Sequence, residues 1–393
     1  MSTGGGRPLI AVIGLRGVPD VIGGIETHCE QLYPALADLT GFRFVLLARR
    51  AYLHAPRGWL GRAEIVGLHA PRGMGLEAFS HTLVALFYAW WRIEADIVHL
   101  HGIGPAIFAP LARLLGLRVI VTHHAADFRR PKWGVIARGL LLFGEAMAAR
   151  FAHRVICVSH ALQADFLGRH PCAAARTLTI RHGAMLTTGA AGSDRLVLDA
   201  IGLADGGYML AVGRLEQTKR FEDLIAAHAR LGDQAMPLVI VGTSLDDEGY
   251  GERLRAMAGG NVRFVGFRHG LELAALYRGT ALFLHASAME GFGLVVLEAL
   301  AGGARIALSD IPVHREFGLP DACYFPVGEL DRIAGIMTRS SRRTSSWGPG
   351  TAIAREHGLS ATVGQHAAVM RSLAIGASQS EPSPATNRSN NAQ

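Results

Sequence analysis

The sequence predicts an α/β protein made of two Rossmann-like domains, each a doubly wound parallel sheet. Three observations carry that reading. The strand candidates are short, β-branched and continuously apolar, as in sheets covered on both faces. They alternate with helix-length segments, the pattern of a parallel sheet built through crossover helices. The alternation runs through the chain twice, with a Gly/Ala/Thr/Ser-rich stretch, Met185–Asp205, between the two runs. A length of 393 residues suits two domains at roughly 100–200 residues each.

In the first run the strands are Leu9–Ile13, Arg43–Leu47, Ile97–Leu100, Arg118–Val121 and Arg154–Val158. Helical patterns between them include Glu26–Leu39, Phe79–Trp91 and Val135–Phe151. In the second run the strands are Tyr208–Val212, Leu238–Val241, Val262–Val265, Ala281–Leu284 and Arg305–Leu308. Its helices are Phe221–Leu231, Gly251–Met257, Leu271–Tyr277 and Leu294–Ala301. The division that follows is a first domain over 1–185, a linker over 186–205 and a second domain over 206–350. Residues 351–376 read as terminal helices able to return to the first domain, and 377–393 as a disordered Ser/Pro/Asn-rich tail. The aromatic segment Phe79–Trp91 reads as a core helix, with a membrane-touching surface helix as the alternative.

Composition removes several classes. Half of the residues are hydrophobic and only 18% are charged, which excludes a disordered chain. The apolar runs Leu83–Trp91 and Gly104–Val121 fall short of the roughly 20 uncharged residues of a membrane span. Met1–Arg7 has no apolar core and cleavage site, so no signal peptide is expected. The cysteines, Cys29, Cys157, Cys172 and Cys323, are scattered without a Cys-x-x-Cys, which suits a reduced cytoplasm and neither disulfides nor zinc. The net charge of +7 lies wholly in the first half: 21 Arg+Lys against 14 Asp+Glu up to Asp205, then 18 against 18. With no basic run and no aromatic–basic interleaving, nucleic acid is not the expected partner. An anionic membrane surface or a phosphorylated ligand is. Of the 39 basic residues only Lys132 and Lys219 are lysines, which marks both as positions where a compact ammonium is wanted.

Four motifs stand where ligands bind in such folds, beyond the carboxyl ends of strands. The first is Gly14-Leu15-Arg16-Gly17-Val18-Pro19 followed by Gly23-Gly24-Ile25-Glu26. Its Gly23-Gly24 lets backbone approach a ligand, and the next helix N-terminus offers free N–H groups to an anion. It is neither a dinucleotide fingerprint nor a P-loop. The second is Thr122-His123-His124-Ala125-Ala126-Asp127. Adjacent residues of extended chain face opposite ways, so at most one of His123 and His124 faces the ligand. His99-Leu100-His101, at the end of the preceding strand, reads as structural. In the third, Gly213-Arg214-Leu215-Glu216-Gln217-Thr218-Lys219, two cations reach one anion, which suits a diphosphate. The fourth is Glu290-Gly291-Phe292-Gly293-Leu294-Val295-Val296-Leu297-Glu298. It pairs two carboxylates with a glycine-freed helix N-terminus that suits phosphate.

In order and spacing, over about Ile10–Phe325, these motifs resemble those of the family-4 retaining glycosyltransferases of the GT-B fold. Glu290 to Glu298 matches that family's Glu-x7-Glu, and Gly213-Arg214 with Lys219 its Gly-Arg-x4-Lys. Many members carry Gly after that Lys where this chain has Arg220, and Val-His-Gly where it has His123-His124-Ala125. The Gly14-x-Arg16-Gly17-Val18-Pro19 loop, Glu26-Thr27, and Asp127 with Arg130 and Lys132-Trp133 resemble the bacterial polysaccharide rhamnosyl- and mannosyltransferase subgroup.

The resemblance implies that Arg214 and Lys219 hold the diphosphate of a nucleotide-sugar donor and that Glu298 holds the ribose. Glu290 with Phe292, Gly293 and Leu294 would hold the donor sugar. Gly23 and Gly24 would close over the phosphates, and His124 would meet the sugar near the reacting carbon. The base is placed near Gly266–His269. The acceptor implied is a saccharide, carried on a polyprenyl diphosphate, at the inner face of the cytoplasmic membrane. No cofactor and no metal are expected, because Asp246-Asp247 lacks the Asp-x-Asp spacing of a metal clamp. Three rival readings are disfavoured: a glycoside hydrolase has no need of a phosphate cradle beside its carboxylates, a GT-B phosphorylase would carry a lysine late in the chain where none follows Lys219, and an NAD-dependent oxidoreductase would carry the glycine fingerprint. A GT-B epimerase and a binding protein without turnover stay open on sequence alone.

Overall fold

The computed structural model describes residues 7–71, 76–183, 192–232, 234–244, 248–340 and 358–378. The first sheet has the order β3-β4-β2-β1-β5-β6-β7-β8. Its strands are β1 Leu9–Ile13, β2 Arg43–Arg49, β3 Arg57–Leu60, β4 Ala63–Leu68, β5 Ile97–His101, β6 Arg118–His123, β7 Arg154–Cys157 and β8 Thr177–Thr179. All pairings are parallel except β3 with β4. The second sheet is wholly parallel, in the order β11-β10-β9-β12-β13-β14. Its strands are β9 Met209–Val212, β10 Leu238–Val241, β11 Val262–Gly266, β12 Leu282–His285, β13 Ile306–Ser309 and β14 Tyr324–Phe325. Every predicted strand is present, with ends shifted by no more than two residues.

Period-2 alternation sorts the first domain into two cores. Leu9, Ala11 and Ile13 point to one face, under Ala85, Leu86, Phe108, Ala112 and Ala148. That face is covered by α2 (Leu76–Phe87), α3 (Ala109–Leu114) and α4 (Val135–Phe151). Ile10 and Val12 point to the other, under Leu32, Tyr33 and Leu36 of α1 (Gly24–Thr40) and Val363, Ala367 and Met370 of the last described helix, Leu359–Ser378. Burying each Val, Leu, Ile, Phe or Met side chain among them contributes roughly 1.5–3 kcal/mol. The second domain is built likewise, with its β9–β12 strands apolar on both faces.

Three sequence readings change. Ser193–Ala200, within the stretch read as a linker, is a helix (α6) whose Leu198 is buried beside Leu276 and Tyr277, with Arg278 held on Asp194. The earlier part of that stretch, 184–191, lies outside the described residues, as do Asp246-Asp247 and the tail from 379. Phe79–Trp91 is core on one side only. Its inner face buries His81, Ala85, Leu86 and Ala89, while Phe79, Val84, Phe87, Trp90 and Trp91 are exposed. The β3–β4 hairpin was not anticipated.

Candidate active site

The carboxyl ends of both sheets face one cleft, and the two walls differ in kind. The first-domain wall is a chain of buried histidines. Nε2 of His99 lies 2.7 Å from Thr122 Oγ1, and its Nδ1 lies 2.9 Å from the Tyr33 hydroxyl. That hydroxyl is 2.5 Å from His101 Nε2, and His101 Nδ1 is 2.8 Å from His124 Nε2. His124 Nδ1 continues to His182 Nε2 at 3.4 Å, and His182 Nδ1 to His28 Nδ1 at 2.9 Å. His366 of the C-terminal helix packs beside His28 and His99.

Burial, and then repulsion from neighbouring histidines, pushes His28, His99, His101 and His124 well below the ordinary imidazole value. His182 falls to about 3 and His366 to about 4. The chain is therefore neutral, each ring giving one N–H and offering one lone pair. His123 faces the other way, bonded at 2.8 Å to Glu145, which Arg169 also holds. Only His124 of the pair joins the cleft chain. Ala125 is absent from the described non-glycine residues with positive φ, so the position needs no glycine.

The second-domain wall is ionic. Gly213 and Arg214 follow β9, and Lys219 ends a tight turn, Gln217–Lys219, before α7 (Phe221–Ala229). His285 is the last residue of β12, and the next loop carries Glu290. Lys219 Nζ donates to Glu290 Oε1, and His285 Nε2 donates to the same oxygen at 2.7 Å. Oε2 of Glu290 accepts no hydrogen bond among the described residues. Burial raises the Glu290 carboxyl, but the Lys219 ammonium and the His285 bond outweigh it and hold it well below the usual carboxylate range. Burial likewise acts against Glu216, yet Arg214, Arg130 and Lys219 keep it lowered. Arg214 Nη2 sits 3.4 Å from Glu216.

Gly293, at φ +98°, caps α10 (Leu294–Ala301) in a conformation that side chains rarely adopt. The first amides of α10 have no intrahelical acceptor and are available to an anion. Glu298, further along α10, accepts a 2.9 Å bond from the Tyr277 hydroxyl. Burial pushes its carboxyl up to about 7, against the smaller downward effect of that bond.

The walls meet at Gly291. A Cβ there would fall 1.7 Å from the His124 carbonyl oxygen, so only glycine lets the Glu290 loop close on the His124 loop. His182 and Phe292 are in edge contact, with centroids 5.7 Å apart. Arg130 bridges Asp127 of the first domain, at 2.7 Å, and Glu216 of the second, at 2.9 Å. Glu316 accepts the amides of His160 and Ala161 and the Arg181 guanidinium from across the cleft.

The structure thus brings together His124, Glu290, Lys219, Phe292 and the α10 N-terminus, with Arg214 next to them through Glu216. Gly23 and Gly24 stand apart, at the start of α1. A Cβ on Gly23 would strike Glu26, whose carboxylate holds Arg16 by N–H and side chain, while Gly24 faces open space. No hydrogen bond joins this turn to Arg214 or Lys219 among the described residues. Near the proposed base site, Phe267 and His269 stack at 5.6 Å, and His269 lies 3.6 Å from Asp20 of the first domain. Sequence reasoning missed His285, Glu216 and the members of the histidine chain other than His124. His285 follows the same rule as the residues found, since it is polar and ends a strand.

Two sheets of this order with such a cleft define the GT-B class of glycosyltransferases. Family models match in succession: Glycosyltransferase Family 4 over residues 22–186 and Glycosyl transferases group 1 over residues 202–320. The chain belongs to this family of GT-B glycosyltransferases. It is 31% identical over 206 residues to the D-inositol 3-phosphate glycosyltransferase of Salinispora arenicola, matching 48% of this chain and 44% of that one. It is 30% identical over 120 residues to the O-antigen chain mannosyltransferase B of Escherichia coli, matching 29% and 32% of the two chains. The matched segments therefore span less than half the length of these relatives. Among solved structures, sucrose-phosphate synthase from Thermosynechococcus elongatus superposes with a TM-score of 0.79 at 20% identity, covering 94% of this chain and 100% of that one. Alr3699/HepE of Anabaena, in complex with UDP-glucose, superposes at 0.74 with 21% identity, covering 93% and 99%. At these identities the structures speak for the fold.

Proposed function

We propose that the protein transfers a sugar, with retention of anomeric configuration, from a nucleotide-diphosphate sugar to a saccharide acceptor. The observation that carries this reading is the Lys219–Glu290–His285 cluster beside Arg214 and the N-terminus of α10. A departing nucleoside diphosphate gains negative charge. Lys219, Arg214 and the α10 amides supply preorganised positive potential for it, so no metal and no other cofactor is required. Glu290, held ionised with Oε2 free of donors among the described residues, accepts hydroxyl groups of the donor sugar. Glu298 serves the ribose. Gly23 and Gly24 approach the phosphates when the cleft closes.

Retention is supported by the facing wall. Both ring nitrogens of His124 are engaged, by His101 and His182, so His124 is not a free general base and meets the sugar as a neutral ring. In the front-face step the bond from C1 to the phosphate oxygen breaks and the bond from C1 to the acceptor oxygen forms. The acceptor's proton passes to the departing phosphate oxygen. The names of the Escherichia coli relatives, O-antigen chain mannosyltransferase B and serotype-specific mannosyltransferase WbdA, support a place in lipopolysaccharide or exopolysaccharide assembly. The acceptor would then be a saccharide on a polyprenyl diphosphate, reached from the cytoplasmic side of the membrane. No nucleic-acid partner enters this reading.

The test is a thermal-shift panel of UDP, GDP, dTDP and ADP sugars and NAD, with and without EDTA. A ligand that binds only the folded state raises stability by about 2.7 kcal/mol at 100 times its dissociation constant. A shift with one nucleotide sugar that EDTA leaves unchanged is expected. A shift with NAD alone, or one that EDTA abolishes, overturns the reading.

A further inference from the structure

Each cation of the Gly213–Lys219 loop faces a carboxylate of its own domain. Lys219 is held on Glu290, and Arg214 Nη2 lies 3.4 Å from Glu216. The two carboxylates are not held alike. Glu290 takes its bonds from Lys219 and His285, both of the second domain. Glu216 takes its closest charged contact from the first domain, where Arg130 Nη1 donates to both of its oxygens, at 3.0 and 2.9 Å. The Thr218 hydroxyl donates a further bond at 3.0 Å. Charge-assisted N–H···O bonds run at about 2.7–2.9 Å. Arg214, at 3.4 Å, is therefore the loosest of these partners and the one that Glu216 can release.

The loop that carries Glu216 is pinned to its own domain. The Thr218 carbonyl accepts the Ser287 hydroxyl at 3.1 Å and the Ala288 amide at 2.8 Å, and the Leu215 amide donates to the Thr243 carbonyl at 3.1 Å. A partly buried carboxylate thus stands fixed beside Arg214. It competes with a diphosphate for the same guanidinium, and a buried carboxylate stripped of its cation is costly. Arg130 removes that conflict. It is aimed from the tight turn Asp127–Arg129, just past the His124 loop, by a 2.7 Å bond from its Nε to Asp127. With Arg130 and Thr218 in place, Glu216 stays paired when Arg214 turns to another anion.

We propose that Glu216 is a built-in competitor for Arg214, and that Arg130 is a positioning residue that silences it from the opposite wall. Arg130 gives the diphosphate no contact of its own and acts through Glu216. Closure of the cleft brings Arg130 onto Glu216 and frees Arg214 for the diphosphate. Opening withdraws Arg130, Glu216 reclaims Arg214, and the diphosphate is released. Closure and donor affinity are coupled through this one exchange of ion pairs. The inference rests on the diphosphate reading of Arg214 given above.

The experiment is a double-mutant cycle. Inorganic pyrophosphate, UDP, GDP and dTDP are titrated by calorimetry, in EDTA, into the full chain as wild type, Arg130→Gln, Glu216→Gln and the double variant. Arg130→Gln is expected to bind about tenfold more weakly, since Glu216 then competes for Arg214. Glu216→Gln is expected to bind about two- to fivefold more tightly, because the competitor is gone and Arg130 keeps its charge. The double variant is expected to return to within about threefold of wild type. A merely structural Arg130, or one that touches the diphosphate itself, gives a loss that Glu216→Gln does not restore. Melting curves verify that each variant is folded. Losses that add in the cycle, or wild-type affinity in Arg130→Gln, overturn the proposal and leave the transferase reading standing if nucleotide sugars still shift the melting temperature. Pyrophosphate binding without any nucleotide-sugar shift overturns the transferase reading instead, and the cycle is then read on pyrophosphate.

Discussion

The two walls of the cleft differ in charge: one is neutral, the other ionic. The first-domain wall keeps its cleft histidines neutral, in a relay from His28 to His99. The second keeps Glu290 and Glu216 ionised by crowding them with Lys219, His285 and Arg214, with Arg130 reaching Glu216 from the first domain. Burial acts against charge in both. It wins where the neighbours are other histidines and loses where they are fixed cations. The lesson concerns division of labour. In the proposed reaction the group that gains charge is the diphosphate, and the cations stand on its wall. The sugar is neutral, and neutral hydrogen-bonding groups stand on the other.

The largest effect that sharpens this contrast is loss of the second wall's cation. Lys219→Ala is expected to lower turnover of the cognate nucleotide sugar about 10²–10³-fold, the range for removing one preorganised transition-state contact. A rate within threefold of wild type would break the assignment. For the first wall the expected effect lies in acid stability. The unfolded histidines titrate near 6.5, above their folded values, so below that pH the unfolded state binds more protons. Stability is then lost as pH falls, by up to about 1.4 kcal/mol per pH unit for each histidine kept neutral. For His366 the window runs from 6.5 down to about 4. Melting temperature against pH should therefore drop across that window, and His366→Gln should flatten the drop by one histidine's share. An unchanged slope would mean that His366 is not held neutral.

Glu298 supplies a test in the opposite sense. A carboxyl raised to about 7 weakens the folded state increasingly between its unfolded value, 4.5, and 7. Glu298→Gln should therefore match or exceed wild-type stability at pH 8 while binding nucleotide sugar less tightly. Calorimetry and titration of the same sample separate the two effects. The smallest effect is at Arg220, which takes φ +51°, a conformation that favours glycine. Arg220→Gly should relieve backbone strain of about 1 kcal/mol and lose the two-pronged, partly buried pair with Asp223. A net change beyond about 1 kcal/mol in chemical denaturation would contradict that balance.

These contrasts also show what the sequence could and could not reveal. Continuous runs such as Leu238–Val241 mark buried strands because they are short, β-branched and bounded by turn residues, as in a sheet covered on both faces. The hairpin Arg57–Leu68 stayed hidden because one strand is half-exposed and neither forms such a run. The second wall could be read because Arg214, Lys219, Glu290 and Glu298 lie in two short segments with local spacing. The first could not, since His28, His99, His101, His124, His182 and His366 come from separate elements along the chain. Only the pairing of β1, β5 and β6 and the packing of α1 and the C-terminal helix bring them together. Phe79–Trp91 was read as core because its aromatic content says how apolar it is, not which side of it meets the sheet.

The central claim is that the charge for the departing diphosphate comes from the second wall alone. Titration of the nucleoside diphosphate chosen by the thermal-shift panel into wild type, Lys219→Ala and His28→Gln tests it most directly, each with and without EDTA. The account predicts at least about tenfold weaker binding for Lys219→Ala, near-wild-type binding for His28→Gln, and no effect of EDTA. Equal affinity in Lys219→Ala and wild type, or binding that EDTA abolishes, would contradict it.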